Sequence, residues 1–93
     1  MKVKVKFFAF IREVAGVNEV EVEIKEGMTI MDLIKKLSER LPQKFRDFVF
    51  EGHEISKNII ILVNGKGISE LYGLETKLKS GDEVALLPPV SGG

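Results

Sequence analysis

From Lys2 the chain alternates strictly between charge and apolar bulk, with Lys2, Lys4 and Lys6 on one parity and Val3, Val5, Phe7 and Ala9 on the other. Successive side chains on a strand point to opposite faces, so a half-buried β-strand is the structure that sorts this pattern. Glu19 to Ile24 repeats it with the charge reversed: Glu19, Glu21 and Glu23 against Val20, Val22 and Ile24. Arg12 to Asn18, which holds Gly16 and Asn18, reads as a turn. Two alternating strands with a short connection predict an antiparallel hairpin. Its lysine and glutamate rows should face each other, contributing about 0.2–1 kcal/mol per pair and fixing the register.

Lys25, Glu26 and Gly27 stop the second strand, and Thr29 stands three residues before Asp32. That spacing marks a helix start, where the side chains satisfy backbone N–H groups that lack intrahelical partners. Ile30, Leu33, Ile34, Leu37 and Leu41 follow at helical spacing, and Pro42 ends the helix at Leu41. Phe45, Phe48 and Val49 suit a second short helical turn, and Gly52 to Asn58 a loop. Ile59 to Val63 is an apolar run, β-branched except at Leu62, of the kind buried on both faces in mid-sheet. Asn64-Gly65 is a turn, since both residues tolerate positive φ. Leu71 to Leu78 suits a short 3₁₀ turn, Ser80-Gly81-Asp82 a further turn, and Glu83 to Leu87 a last strand.

Hairpin, helix, then further strands is an α+β order. The expectation is a β-grasp: a mixed sheet of four to five strands, one main helix on one face, and the first and last strands parallel and central. Residues 1–87 form the single domain, and 88–93 a flexible tail.

Composition removes most chemistry. With 93 residues there is one domain and a small core. The absence of Cys excludes disulfides, thiolate metal sites and thiol nucleophiles. Fourteen basic against 14 acidic side chains argue against nucleic-acid or acidic-membrane binding. No apolar run nears the ~20 residues of a membrane span, and no signal peptide opens the chain, so a cytoplasmic protein is expected. His53 is the only imidazole; near Ser56 it lacks an orienting acid, and near Glu51 and Glu54 it lacks ligand spacing. Gly65-Lys66-Gly67 lacks the strand–loop–helix setting of a phosphate loop. No metal site is expected.

Two features remain. Phe8 and Phe10 fall on the lysine parity, so they are expected on the open face of the sheet with Ala85 and Leu87, as a partner-binding patch unless Phe45, Phe48 or Leu71 to Leu74 covers it. The C-terminus runs Pro88-Pro89-Val90-Ser91-Gly92-Gly93. Pro-Pro favours extended backbone, and glycines without Cβ can enter a channel too narrow for other residues. Such a tail suits delivery of the Gly93 carboxylate.

Phe7 to Gly16, Leu78 to Ala85 and the Pro-Pro…Gly-Gly ending together resemble the small subunit of molybdopterin synthase, and more broadly the ubiquitin-like sulfur carriers. The resemblance implies that a ubiquitin-activating-type enzyme uses ATP to adenylate Gly93, which then becomes a thiocarboxylate. It further implies that the tail enters the synthase large subunit and gives sulfur to a pterin precursor of the molybdenum or tungsten cofactor. Gly93 would react, Gly92 and Ser91 give reach, and Pro88 and Pro89 aim the tail. Phe8, Phe10 and Leu87 would dock partners, and this chain would bind no cofactor and hold no catalytic side chain. The same tail also suits a modifier conjugated to target lysines, or a carrier for thiamine or tRNA thiolation.

Overall fold

The computed structural model describes residues 1–89. β1 (Lys2–Phe7) buries Val3, Val5 and Phe7 and leaves its lysines outward. α1 (Ala9–Ala15) follows, then β2 (Glu19–Glu23), which pairs antiparallel with β1 so that Lys2, Lys4 and Lys6 lie opposite Glu23, Glu21 and Glu19. The charged rows thus face each other as expected, with Lys4 reaching diagonally to Glu19 at 3.7 Å.

α2 (Ile30–Arg40) begins at a complete capping box. The Asp32 backbone N–H donates to Thr29 Oγ1 at 3.2 Å, and the Thr29 N–H donates to Asp32 Oδ2 at 3.0 Å. Ile30, Leu33, Ile34 and Leu37 are buried, and the helix stops at Leu41 before Pro42. α3 (Gln43–Val49) buries Phe45, whose ring meets Phe7 edge-on with centroids 5.7 Å apart. A small hairpin of β3 (Phe50–Glu51) and β4 (Glu54–Ile55) follows.

β5 (Ile60–Val63), β6 (Lys66–Gly67) and β7 (Glu83–Leu87) complete the main sheet in the order β2-β1-β7-β5-β6. β1 and β7 are parallel and central, while β5 is antiparallel to β7. Asn64 and Gly65 take the β5–β6 turn with φ of 50° and 85°. Two 3₁₀ turns, Ile68–Glu70 and Gly73–Glu75, lead back towards β7. The helix-side face of the sheet and the three helices share one core.

Three local expectations change. Arg12 to Asn18 is largely helix: Ile11, Val14 and Ala15 are buried at i, i+3, i+4 spacing, and Gly16 caps the end at φ 79°. That spacing is the signal of α1, masked by an alternation that runs on through Ala9. Residues 43–58 form a full short helix and a hairpin rather than a helical turn and a loop. β5 is buried on one face only, because no helix covers the face that carries Ile60 and Leu62.

Candidate functional site: the open sheet face and the tail exit

Phe8 and Phe10 are exposed, but not as strand residues on the open face. β1 ends at Phe7, and Ala9 turns the chain into α1 with φ 51°. A residue with a Cβ pays about 1–2 kcal/mol for left-handed backbone. That elbow leaves Phe8 at the strand–helix junction, 43% exposed, and moves Phe10 onto α1, 50% exposed. The Phe10 ring leans edge-on against Phe48 of α3, centroids 5.1 Å apart. Phe48 therefore extends the aromatic surface that Phe10 begins, and its place on a poorly periodic segment hides it in the sequence.

Leu87 does lie on the open face. Val84 and Leu86 are buried, so Glu83, Ala85 and Leu87 point the other way. β5 supplies their neighbours: Ile60 stands opposite Leu87, and Leu62 opposite Ala85. Charge thus occupies the β2–β1 half of this face, and half-buried aliphatic side chains the β7–β5 half. The boundary is the Lys6–Glu83 ion pair. Their mutual hydrogen bond holds the Glu83 carboxyl below its ordinary value and the Lys6 amine above its own.

The aliphatic strip ends where the tail leaves. The Phe8 N–H donates to the Leu86 carbonyl at 3.1 Å, which brings the Phe8 backbone alongside the last residues of β7. Pro88 is half-buried and Pro89 exposed beyond them. Val90, Ser91, Gly92 and Gly93 lie outside the described residues. The structure thus brings Phe8, Leu87 and the start of the tail to one end of the sheet, with Phe10 on the adjoining helix.

The remaining polar candidates have structural roles. Ser56 is buried, donates to Glu51 Oε1 at 3.0 Å and accepts from the Asn58 N–H at 3.1 Å, so its hydroxyl holds the turn after β4. His53 lines a separate hollow of about 290 Å³ with Lys35, Arg46 and Phe50. Lys66 and Gly67 form β6, a hairpin edge rather than a phosphate loop. No group of three or more potential metal ligands occurs among the described residues.

A mixed five-stranded sheet with its longest helix across one face, and an aliphatic strip running to a Pro-Pro tail on the other, defines a ubiquitin-like β-grasp protein. The chain belongs to the ThiS family, whose model matches residues 5–93. It is 34% identical to the molybdopterin synthase sulfur carrier subunit of Chlamydomonas reinhardtii, over all of both chains. It is 30% identical to small archaeal modifier protein 3 of Haloferax volcanii, again over the whole of both. The crystal structure of SAMP1 from Haloferax volcanii matches with a TM-score of 0.84 at 32% identity, covering both chains completely.

Proposed function

We propose that this protein carries sulfur on the C-terminal carboxylate of Gly93 for molybdenum or tungsten cofactor synthesis, as the small subunit of a molybdopterin synthase. The observation that carries the reading is the continuous aliphatic strip of Leu62, Ala85, Ile60 and Leu87, which ends where the tail departs. A partner seated there receives Pro88 to Gly93 in a set direction. Leu87 and Phe8 anchor it, and Phe10 with Phe48 extends the contact along α1 and α3.

A carboxylate is a poor acyl donor because its leaving group would be oxide. In the proposed cycle an ATP-dependent activating enzyme lets the Gly93 carboxylate attack the α-phosphorus of ATP, releasing pyrophosphate. Hydrosulfide-level sulfur then adds to the acyl carbon, and AMP departs with the C–O bond electrons, leaving a thiocarboxylate. The nucleotide site and the acid–base groups belong to the partners, and this chain binds no cofactor. Gly92 and Gly93 lack Cβ atoms, which keeps the reacting end slim enough for a narrow channel.

Incubation with activating enzyme, ATP and a sulfide source should raise the intact mass by the oxygen-to-sulfur difference, and deletion of Gly93 should abolish the gain. An unchanged mass refutes the carrier reading. The likeness to an archaeal modifier protein supports a second reading, conjugation of Gly93 to lysines of target proteins. Higher-mass conjugates in an extract that disappear on Gly93 deletion would establish it.

A further inference from the structure

At the opposite end of β7 from the tail lies an open groove of about 770 Å³, with Val63 and Leu71 in its lining. Tyr72 stands over it, 81% exposed and the most exposed of the large apolar side chains among the described residues. Its backbone is held firmly for so exposed a residue. The Tyr72 N–H donates to Thr76 Oγ1 at 3.1 Å, and that hydroxyl donates to the Gly73 carbonyl at 2.7 Å. Lys66, Lys77 and Lys79 also line the groove, with Glu75 and Asp82 as its two acidic groups, and none of the three lysines is in an ion pair among the described residues.

An exposed aromatic beside apolar side chains is what pre-extended proline segments dock against, and three lysines against two carboxylates leave a net positive rim that draws a carboxylate. One segment of this chain has both properties: Pro88-Pro89-Val90-Ser91-Gly92-Gly93. We propose that the groove receives this segment from a second copy of the chain, with the prolines against Tyr72 and the Gly93 carboxylate among the lysines. A copy's own tail is too short. Six residues reach at most about 20 Å, and doubling back along the five residues of β7 consumes about 17 Å of that. Tail and groove are distinct patches at opposite ends of the strand, so the contact joins unlike surfaces of the two copies. A docked tail is withheld from any enzyme that modifies Gly93, so docking competes with tail chemistry.

The test uses the full chain, labelled with ¹⁵N, and a synthetic Pro-Pro-Val-Ser-Gly-Gly peptide. Saturable shifts are expected at the amides of Leu71, Tyr72, Gly73 and Lys77, with Ala85 and Leu87 unmoved. Tyr72→Ala should weaken the peptide at least fivefold, and C-terminal amidation of the peptide should also weaken it. Sedimentation velocity should show average mass rising with concentration, and deletion of residues 88–93 should abolish the rise. The proposal is overturned by shifts that are absent or confined to the open face, or by a titration indifferent to Tyr72→Ala. It is also overturned by self-association that survives the deletion, which would assign the groove to a different contact between copies. Because thiocarboxylation is read by intact mass, either proposal can fail while the other stands.

Discussion

Leu86 and Leu87 are chemically identical neighbours that β7 sends to opposite sides of the sheet. Leu86 is wholly buried, and Leu87 is half-buried beside Ile60. Leu86→Ala removes a core side chain and leaves a cavity, costing about 2–5 kcal/mol. At about 4–8 °C per kcal/mol for a domain of this size, Tm should fall by at least about 8 °C. Leu87→Asp costs the fold only its cross-strand pairing with Ile60, about 0.2–1 kcal/mol, so Tm falls by no more than about 8 °C. Docking should respond in the opposite order. Half the burial of a leucine is worth about 1 kcal/mol, and covering an unpartnered carboxylate costs about 1–3 kcal/mol. The sum, about 2–4 kcal/mol, predicts binding to an activating enzyme about 30- to 700-fold weaker. Thermal melts by circular dichroism give the first quantity, and calorimetric titration with the activating enzyme gives the second. Leu87→Asp binding within threefold of the parent would refute the assignment of the open face as the docking surface. Leu86→Ala melting no lower than Leu87→Asp would refute the division of the strand into two faces.

Thr29→Ala should cost about 1 kcal/mol, or about 4–8 °C in Tm, by removing the hydroxyl that accepts from the Asp32 N–H. The backbone N–H of Thr29 first, and its hydroxyl second, hold the Asp32 carboxyl below its ordinary value of 3.8. The stability this lends is complete above that value and lost as pH falls through the lower folded one, so the gap between Thr29→Ala and its parent should narrow in acid. A gap constant down to about pH 2 would count against it. Ala9→Gly should relieve left-handed strain of about 1–2 kcal/mol against about 0.5–1 kcal/mol of added chain entropy, so its Tm should match or exceed the parent's, while Ala9→Val should melt lower. Asn64→Asp should cost about 1 kcal/mol, because Asn64 Nδ2 donates to Asp82 Oδ1 at 2.9 Å and the variant sets two carboxylates there. Urea midpoints in low and high salt check this: the loss should shrink as salt screens the repulsion.

Local patterns made most of the elements legible. The charged alternations of Lys2 to Phe7 and Glu19 to Ile24, the Thr29–Asp32 cap, the stop at Pro42 and the Asn64-Gly65 turn all depend on interactions within a few residues. Phe8 and Phe10 show where local pattern misleads. Their parity is that of an open sheet face, but the buried positions of Ile11, Val14 and Ala15 pull the chain into α1 after Phe7. The seven-residue helix is too short to announce itself in isolation, and its stability comes from packing against α3 and β7. Residues 43–58 yield only a helical turn and a loop to local reading for the same reason, since Phe45 is placed by its contact with Phe7, far away in sequence.

The sequence by itself determined the β-grasp order, the poverty of reactive side chains and the character of the tail, because alternation, caps and composition act over short distances. Only the tertiary structure decided what the tail leaves from. The pairing of β7 with both β1 and β5 assembles Phe8, Ile60 and Leu87 at the tail exit from three distant parts of the chain. The same pairing sets the Tyr72 groove at the far end of β7. Neither arrangement is written in any local stretch, because each depends on strand register across a sheet whose neighbours in space are not neighbours in sequence.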